Sequence, residues 1–597
     1  MKFKNYVFSS LIFGIFSAQS QATQLLQPPP MGTPKEVTVF VAKKIVTMDP
    51  SWPTATAVAI SDGKILSVGS LEDLKPWTDK YPTKINRQFA DKVLYPGFVE
   101  AHGHPLLGGV SQTQLPITSQ PLPNPWGPAF PGVPNLKAAI DQLKVYSAQL
   151  KDPSELLLAF GWDSPGMGAM PDSKLLDGVS TTRPIMIWDN TEHSFFLNSA
   201  AIAKYKITGD KVKNILGVGL DKSGNPNGVF LGKDAGEYIL SVAGKDIFTP
   251  AKATRAMLYS NDLAQQNGIT TTSDMAFGAV NIDFETAMMQ KVTSSNAASL
   301  RIAPVPMAQN FMQKYGSKGI EKVKELQKLN TDRLMFHGIK FLSDDAYMSN
   351  AMSVTGPGYT DGHKGVIFYP SPQAFYKDMK PWWDENFQIH VHSNGTGGNQ
   401  MTLNALQLLQ NSKPRFDHRF TLQHFGLVTT AMVMKTKALG AVASVNPAFF
   451  YTRAGIQGKD VGVDRVSMAT RLGYLNKEGI IVSLHSDNPV APPTPLTMVW
   501  AVVNRFDIAT GSKQWAPAEA VSVADAMKMI TINAAYTVGI EDKVGTIEAG
   551  KYADFVVLGD DPQTVPSVKI KDVPVIATVL GGRVIPVSET KKERPLN

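Results

Sequence analysis

Short apolar segments of strand length, several closing on a histidine, recur between stretches of helical periodicity through the middle of this chain, and they constrain its fold most. Ile339-Lys340-Phe341-Leu342, Phe387 to His392, Phe420 to His424, Ala441 to Val445 and Ile480 to Leu484 are such segments. Strand alternating with helix predicts an α/β protein with a parallel sheet. The ten histidines all fall between His102 and His485, inside this alternating region.

The two ends of the chain read differently. Val37, Val39 and Val41 alternate, and Ala57 to Ile60 and Ile65 to Val68 flank Asp62-Gly63, a hairpin turn. The same β pattern returns near the C-terminus in Ala553 to Leu558, Ile576 to Leu580 and Arg583 to Val587, the last two joined by Gly581-Gly582. Residues 35–97 and 539–590 are therefore expected to build one β-sandwich, discontinuous in sequence, beside a central unit spanning 98–538. Within that unit, 115–235 is rich in Pro and Gly and reads as an inserted subdomain, with a helix through Asn198 to Ile202. Val521 to Val538 has apolar positions at helical spacing and predicts a helix on the outside of the central unit.

Residues 1–22 carry Lys2 and Lys4, an apolar stretch from Tyr6 to Phe16 and then Ser20-Gln21-Ala22, the pattern of a cleaved signal peptide. A periplasmic or secreted protein is expected, with no stable membrane span after cleavage, because the apolar stretch is shorter than a bilayer needs. With 43% hydrophobic and 18% charged residues, the mature chain has the composition of a soluble globular protein. There is no cysteine, so any metal site must use His, carboxylate or modified Lys. The net charge of +7 falls by two when Lys2 and Lys4 leave, and no dense Lys/Arg run is interleaved with aromatics. No nucleic-acid partner is expected, a small-molecule substrate is, and self-association stays open.

Four strand ends carry metal-binding chemistry. Tyr95-Pro96-Gly97-Phe98-Val99-Glu100-Ala101-His102-Gly103-His104 reads as a strand ending in His-x-His, and positions i and i+2 of a strand share a face. His390-Val391-His392 ends another strand, with His392 nearer the turn and so preferred over His390 as a ligand; His424 ends the next. Asp487, in Ser486-Asp487-Asn488-Pro489, is a carboxylate that can bind metal and accept a proton from water. Lys340 lies inside an apolar strand, where an unpaired ammonium is costly. Either Asp344 or Asp345 neutralises it, or carbon dioxide converts it to a bridging carbamate. Phe195, Phe196, Phe449, Phe450, Tyr451 and Trp500 are candidates for an apolar pocket wall or for core, and Arg453 is a candidate partner for a substrate carboxylate.

Together with Lys44 to Asp49, Ser61 to Ile65, Gly161-Trp162-Asp163, Arg419 to His424 and Gly545 to Asp554, these segments resemble the metal-dependent amidohydrolase superfamily, specifically amidohydrolase family 3, which includes the YtcJ-like proteins. The resemblance covers nearly the whole mature chain. It implies a (β/α)8 TIM barrel with a composite β-sandwich, and a site in which His102, His104, carbamylated Lys340, His392, His424 and Asp487 hold the metal. It also implies that His193, in the insertion, borders the substrate. Two departures stand out: relatives commonly have Gly-Asp and Glu-His where this chain has Gly395-Thr396 and Gln423-His424. Both remove a carboxylate and lower the local negative charge.

The function so implied is hydrolysis of an amide-like C–N bond, N-acyl or N-formyl, by a metal-activated hydroxide, with Asp487 as the catalytic proton carrier. One or two divalent ions are expected, zinc first, although manganese and iron suit the same ligands. Alternatives at the same centre are a lactonase or esterase and a deaminase. A non-catalytic exported binding protein is the reading from another class, suggested by Thr396 and Gln423.

Overall fold

The structure is a computed structural model that describes residues 34–508 and 513–593; the expected signal peptide over 1–22 lies outside them. Its α/β fold is organised by eight parallel strands. In chain order these are β1 (Phe98–Glu100), β2 (Ile269–Phe277), β3 (Arg301–Pro306), β4 (Ile339–Leu342), β5 (Ile389–Ser393), β6 (Thr421–His424), β7 (Val442–Val445) and β8 (Val482–Leu484). β1, β2 and β3 pair in one sheet and β4 to β8 in another, every neighbour parallel. Isolated parallel bridges tie Ile302 of β3 to Leu334, ahead of β4, and Met307, just past β3, to Lys340 of β4. Beyond β8, the Asp487 N–H donates to the His102 C=O at 3.0 Å and the His104 N–H to the Asn488 C=O at 3.1 Å, which ties the last strand back to the first.

Residues such as Ile389, Val391, Leu422 and Ala443 are fully buried, as expected of parallel strands covered on both faces. The helices that follow β4 and β6, Pro372–Asp384 and Thr430–Ala438, are started by Ser371 and Thr429, whose side chains accept the N–H of Ala374 and Met432. Thr396–Ser412, after β5, has Gly395 at that position and no such cap. Instead the Asp344 carboxylate, from the end of β4, accepts the N–H groups of Asn394 and Gly395 at 2.8 Å each.

Both chain ends meet in one seven-stranded sheet, in the order Arg583–Pro586, Val575–Leu580, Phe555–Leu558, Thr83–Pro96, Val37–Val46, Thr54–Ser61, Lys64–Gly69. Its two tight hairpins turn at Asp62-Gly63 and Gly581-Gly582, and all four residues have the positive φ that a primed turn requires. Arg301 of β3 joins this sheet to the parallel strands through Asp554, with Nε to Oδ2 at 2.6 Å and Nη2 to Oδ1 at 3.0 Å.

Strands between 115 and 230 form a separate six-stranded sheet with its own apolar core, including Leu143, Trp162, Ile187 and Phe196. The expected helix there is Ser199–Lys204, capped by Asn198. The expected helix over Val521 to Val538 is two short ones, Val523–Met529 and Ile532–Thr537, because Thr531 takes φ −128° and ψ −101° between them. Among the described residues no helix is long and apolar enough to cross a membrane.

Candidate metal centre

β1 stops at Glu100, so His102 and His104 sit just beyond a strand rather than within one. The Glu100 carboxylate ends the strand by accepting the Ser486 N–H at 3.0 Å and its hydroxyl at 2.7 Å, which draws the segment after β8 alongside. Both rings still converge: Asp487 Oδ1 lies 3.2 Å from His102 Nε2 and 3.0 Å from His104 Nε2. Gly103 has no room for more, since a Cβ there would stand 3.3 Å from both Glu100 Cγ and Thr272 Oγ1.

His424 closes β6 with φ +74°, and Asp487 has φ +59°. Such left-handed residues cost roughly 1–3 kcal/mol each and persist only where the surroundings impose them. The His424 ring lies 4.6 Å from that of His102 and 4.4 Å from that of His392, centre to centre. His392 Nε2 faces Asn394 Nδ2 at 2.8 Å. His390, one pleat deeper, lies outside the cavity: its Nδ1 accepts from Gln423 Nε2 at 3.1 Å and its ring fills the space beside Gly338.

Among the described residues, two sets of potential ligand atoms lie within 4.8 Å of one another: His102, His104 and Asp487, and His102, His424 and His485. His392 belongs to neither set but lines the same cavity. His485 was not singled out above. Its Nε2 is 3.2 Å from His424 Nδ1 and its Nδ1 is 2.9 Å from Ser444 Oγ. The spacing His485-x-Asp487 repeats that of His102-x-His104 and was the available signal.

Lys340 reaches to 3.5 Å from His102 Nε2. Neither carboxylate proposed to neutralise it does so. Asp344 accepts the backbone N–H groups of Ser353, Asn394 and Gly395, and Asp345 is 2.5 Å from His193 Nδ1. Burial lowers the Lys340 amine to about 7 against the pull of Asp487 and Asp274. The two departures also find places: Gln423 Oε1 meets His102 Nδ1 at 2.7 Å, while Thr396 Oγ1 meets Thr355 Oγ1 at 2.8 Å.

Burial holds His102 and His424 well below the ordinary histidine range and lowers His392 and His485 to about 3. These rings are neutral, the form that donates a lone pair to a metal. His104 differs: burial lowers it, but Asp274 and Asp487 outweigh that and raise it to about 10. Burial would raise Asp487, yet the hydrogen bond from His104 brings it to about 2. His424 Nε2 and His104 Nδ1 are buried with no hydrogen-bond partner. The neutral rings of His102, His392, His424 and His485, the orphaned His424 Nε2 and the ionised Asp487 fit a divalent cation, which would displace the His104 proton on binding there.

The cavity over these groups measures about 130 Å³, with Leu107, Leu240, Met275, Met307, Leu342 and Val490 along its walls. The insertion covers it with Thr191, Glu192 and His193. Glu192 Oε1 is enclosed without a hydrogen-bond partner, and burial raises its carboxyl to about 8. Arg453 lines a neighbouring cavity instead, its Nη1 held by Asp163 at 2.9 and 3.1 Å. Phe195, Phe196, Phe449, Phe450, Tyr451 and Trp500 line no part of the metal cavity and are buried core residues.

Residues 90–586 match the amidohydrolase family. The chain is 24% identical to the protein LONG AFTER FAR-RED 3 of Arabidopsis thaliana, over 93% of this chain and 92% of that one. It is 22% identical to an N-substituted formamide deformylase of Arthrobacter pascens, over 91% and 97%. A crystal structure of an uncharacterized metal-dependent hydrolase from Pyrococcus horikoshii shares the fold, with a TM-score of 0.67 and 18% identity over 89% of this chain and 99% of that one.

Proposed function

Because this chain belongs to the amidohydrolase family, we propose that it is a metal-dependent hydrolase cleaving an amide-like C–N bond, N-acyl or N-formyl, of a small molecule. The observation that carries this reading is the convergence of His102 and His104 on Asp487 Oδ1, with His392, His424 and Lys340 around the same cavity. The choice of an N-formyl or N-acyl bond leans on the similarity to the deformylase. In this reading the eight parallel strands are a (β/α)8 barrel within 98–538, the sheet of the chain ends is its sandwich, and 115–235 is a subdomain over the mouth. The mature chain is exported, on the charge and apolar pattern of residues 1–22.

One or two divalent cations, zinc first, held by His102, His104, His392, His424 and Asp487, would supply a Lewis acid for the carbonyl and a water with a pKa of about 7. Lys340, partly unprotonated near neutrality, attacks carbon dioxide through Nζ and releases one proton; the carbamate is a further ligand. Asp487 is the catalytic acid–base, taking a proton from the attacking water and delivering it to the departing nitrogen. His193, its Nδ1 fixed by Asp345, turns its other nitrogen to the substrate. The apolar walls exclude bulk water and strengthen these polar contacts.

The test is metal content and native intact mass on purified protein, followed by turnover of N-formyl amines, N-acyl amino acids, lactones and aminopyrimidines. Stoichiometric metal, a mass gain of one carbon dioxide and hydrolysis of the formyl or acyl compounds are expected. Protein that holds no metal and turns over none of them overturns the reading. Turnover confined to lactones or aminopyrimidines moves it to the esterase or deaminase alternative.

A further inference from the structure

Glu192 has no task in the chemistry above, yet its placement is expensive. It lies between the strands Ile185–Asp189 and Phe195–Leu197 with φ +61°, a conformation that costs a side-chain-bearing residue roughly 1–2 kcal/mol. Its backbone is pinned on both sides: the N–H donates to the Asp189 C=O at 3.3 Å, and the C=O accepts from Trp188 Nε1 at 3.1 Å. The loop thus holds the side chain at the wall of the metal cavity. There Oε1 is sealed from solvent without a donor, a further cost of about 1–3 kcal/mol. Glu192 stands apart from both tight sets of ligand atoms.

The nearby cations are committed elsewhere. Lys233 Nζ pairs with Glu237 at 3.2 Å, His104 with Asp487 at 3.0 Å and His193 with Asp345 at 2.5 Å. His104 and the Ser111 hydroxyl act on this carboxyl too weakly to offset its burial, and Oε1 itself has no donor, so a ligand that brings one would satisfy it.

Building on the hydrolase reading of this cavity, we propose that Glu192 is a specificity-determining residue whose Oε1 receives an ammonium or similar cationic N–H donor of the substrate. The preferred substrates are then amides that carry a second, basic nitrogen on an apolar body lying against Leu107, Leu240, Met275 and Met307.

The probes are benzylamine and its neutral isostere benzyl alcohol, titrated calorimetrically near neutral pH into protein of verified metal content. Wild type binds the amine at least about tenfold more tightly than the alcohol, the worth of one charge-assisted hydrogen bond. Glu192→Gln binds the two equally with unchanged metal content. Glu192→Gly, which adopts the left-handed backbone without strain, loses the same preference while its melting temperature stays level or rises. The proposal is overturned by a wild type without amine preference, by a preference that survives in both variants, or by a Glu192→Gly protein that melts well below wild type, since the carboxyl would then be structural. Metal-free protein separates this proposal from the hydrolase reading: Oε1 belongs to the chain, so the amine preference persists there while C–N turnover is lost. Intact amine preference in a metal-loaded protein without hydrolytic turnover counts against the hydrolase reading alone.

Discussion

Gln423 Oε1 lies 2.7 Å from His102 Nδ1. An amide oxygen can only accept, so the His102 proton sits on Nδ1 and Nε2 is left to face Asp487. The amide nitrogen of the same side chain donates to His390 Nδ1 at 3.1 Å, and one neutral residue thereby orients two imidazoles from different strands. Gln423→Leu strands both rings. It is expected to weaken metal binding about 10- to 100-fold, the usual cost of losing a partner behind a ligand, measured by competition with a chelator. Gln423→Glu preserves the acceptor for His102 and should stay within several-fold of wild type. Unchanged affinity in Gln423→Leu would show that His102 is oriented by something else.

Asp487 offers a substitution that leaves its backbone alone. It holds φ +59°, and Asn is one of the few residues that adopts this region readily. Asp487→Asn should therefore melt close to wild type and still take up metal when metal is in excess, yet turn over an N-formyl or N-acyl substrate about 10²- to 10⁴-fold more slowly. Initial rates set against measured metal stoichiometry check this. Wild-type rates at full occupancy would remove Asp487 from the proton-carrying role.

How far a sequence of this kind can be read depends on whether each element is set locally. β4 occupies the apolar run Ile339–Leu342 residue for residue, since Gly338 with φ +58° bounds it on one side. β2 begins Ile269-Thr270-Thr271-Thr272, whose polar hydroxyls give none of the apolar run that marks the other buried strands, yet Thr270 and Thr271 are fully buried. β3 contains Pro304 and Pro306, which argue against an interior strand; they are tolerated because on the side of β4 only isolated bridges form, at Ile302–Leu334 and Met307–Lys340. At the site, the histidines and aspartate at strand ends were visible from spacing alone. His485 gains its meaning only from a 3.2 Å approach to His424, and Glu192 only from the fold of the insertion over the cavity. The first had a faint local signal in the spacing His485-x-Asp487, and the second is a tertiary relationship that no local pattern carries.

The two chain ends are held together by a carboxylate whose ionisation sets a pH dependence. Asp561 accepts Lys44 Nζ on Oδ2 at 2.7 Å and the Tyr95 hydroxyl on Oδ1 at 2.6 Å, joining the segment after Phe555–Leu558 to Val37–Val46 and Thr83–Pro96. Burial raises this carboxyl, but the two donors outweigh it and hold it below the usual aspartate value. A folded-state value below the unfolded one stabilises the protein above the unfolded pKa and is lost as pH falls through the folded one. With Lys44 partly exposed, Asp561→Asn should cost about 1–2 kcal/mol at about pH 7. That difference should begin to shrink as pH falls through the unfolded aspartate value of about 4 and vanish only below the lower folded value, where wild type is protonated as well. Denaturant midpoints of both proteins across that range test it, and a gap that stays constant into acid would exclude Asp561 ionisation as its source.

Arg301 and Asp554 tie β3 to the sheet of the chain ends under different conditions, since both side chains are only 2% exposed. Asp554 Oδ1 also accepts the Gly581 N–H at 2.7 Å, and the Arg301 guanidinium sits 3.8 Å from the centre of the Tyr552 ring. Without Asp554 the buried guanidinium keeps, as polar contacts, only the longer one with the exposed Asp332 carboxylate at 3.4 Å and that with the Asp332 C=O, so Asp554→Ala is expected to cost about 3–5 kcal/mol. Arg301→Lys keeps the charge but loses the two-pronged contact and should fall between that variant and wild type. Combining Arg301→Met with Asp554→Ala removes both charges, and the double variant should be more stable than Asp554→Ala alone, because the penalty comes from the unpaired ion rather than from the missing bond. Denaturant unfolding of the three proteins decides the matter: a double variant no better than Asp554→Ala would mean that packing of the guanidinium on Tyr552, and not pairing of the charges, holds β3 against the terminal sheet.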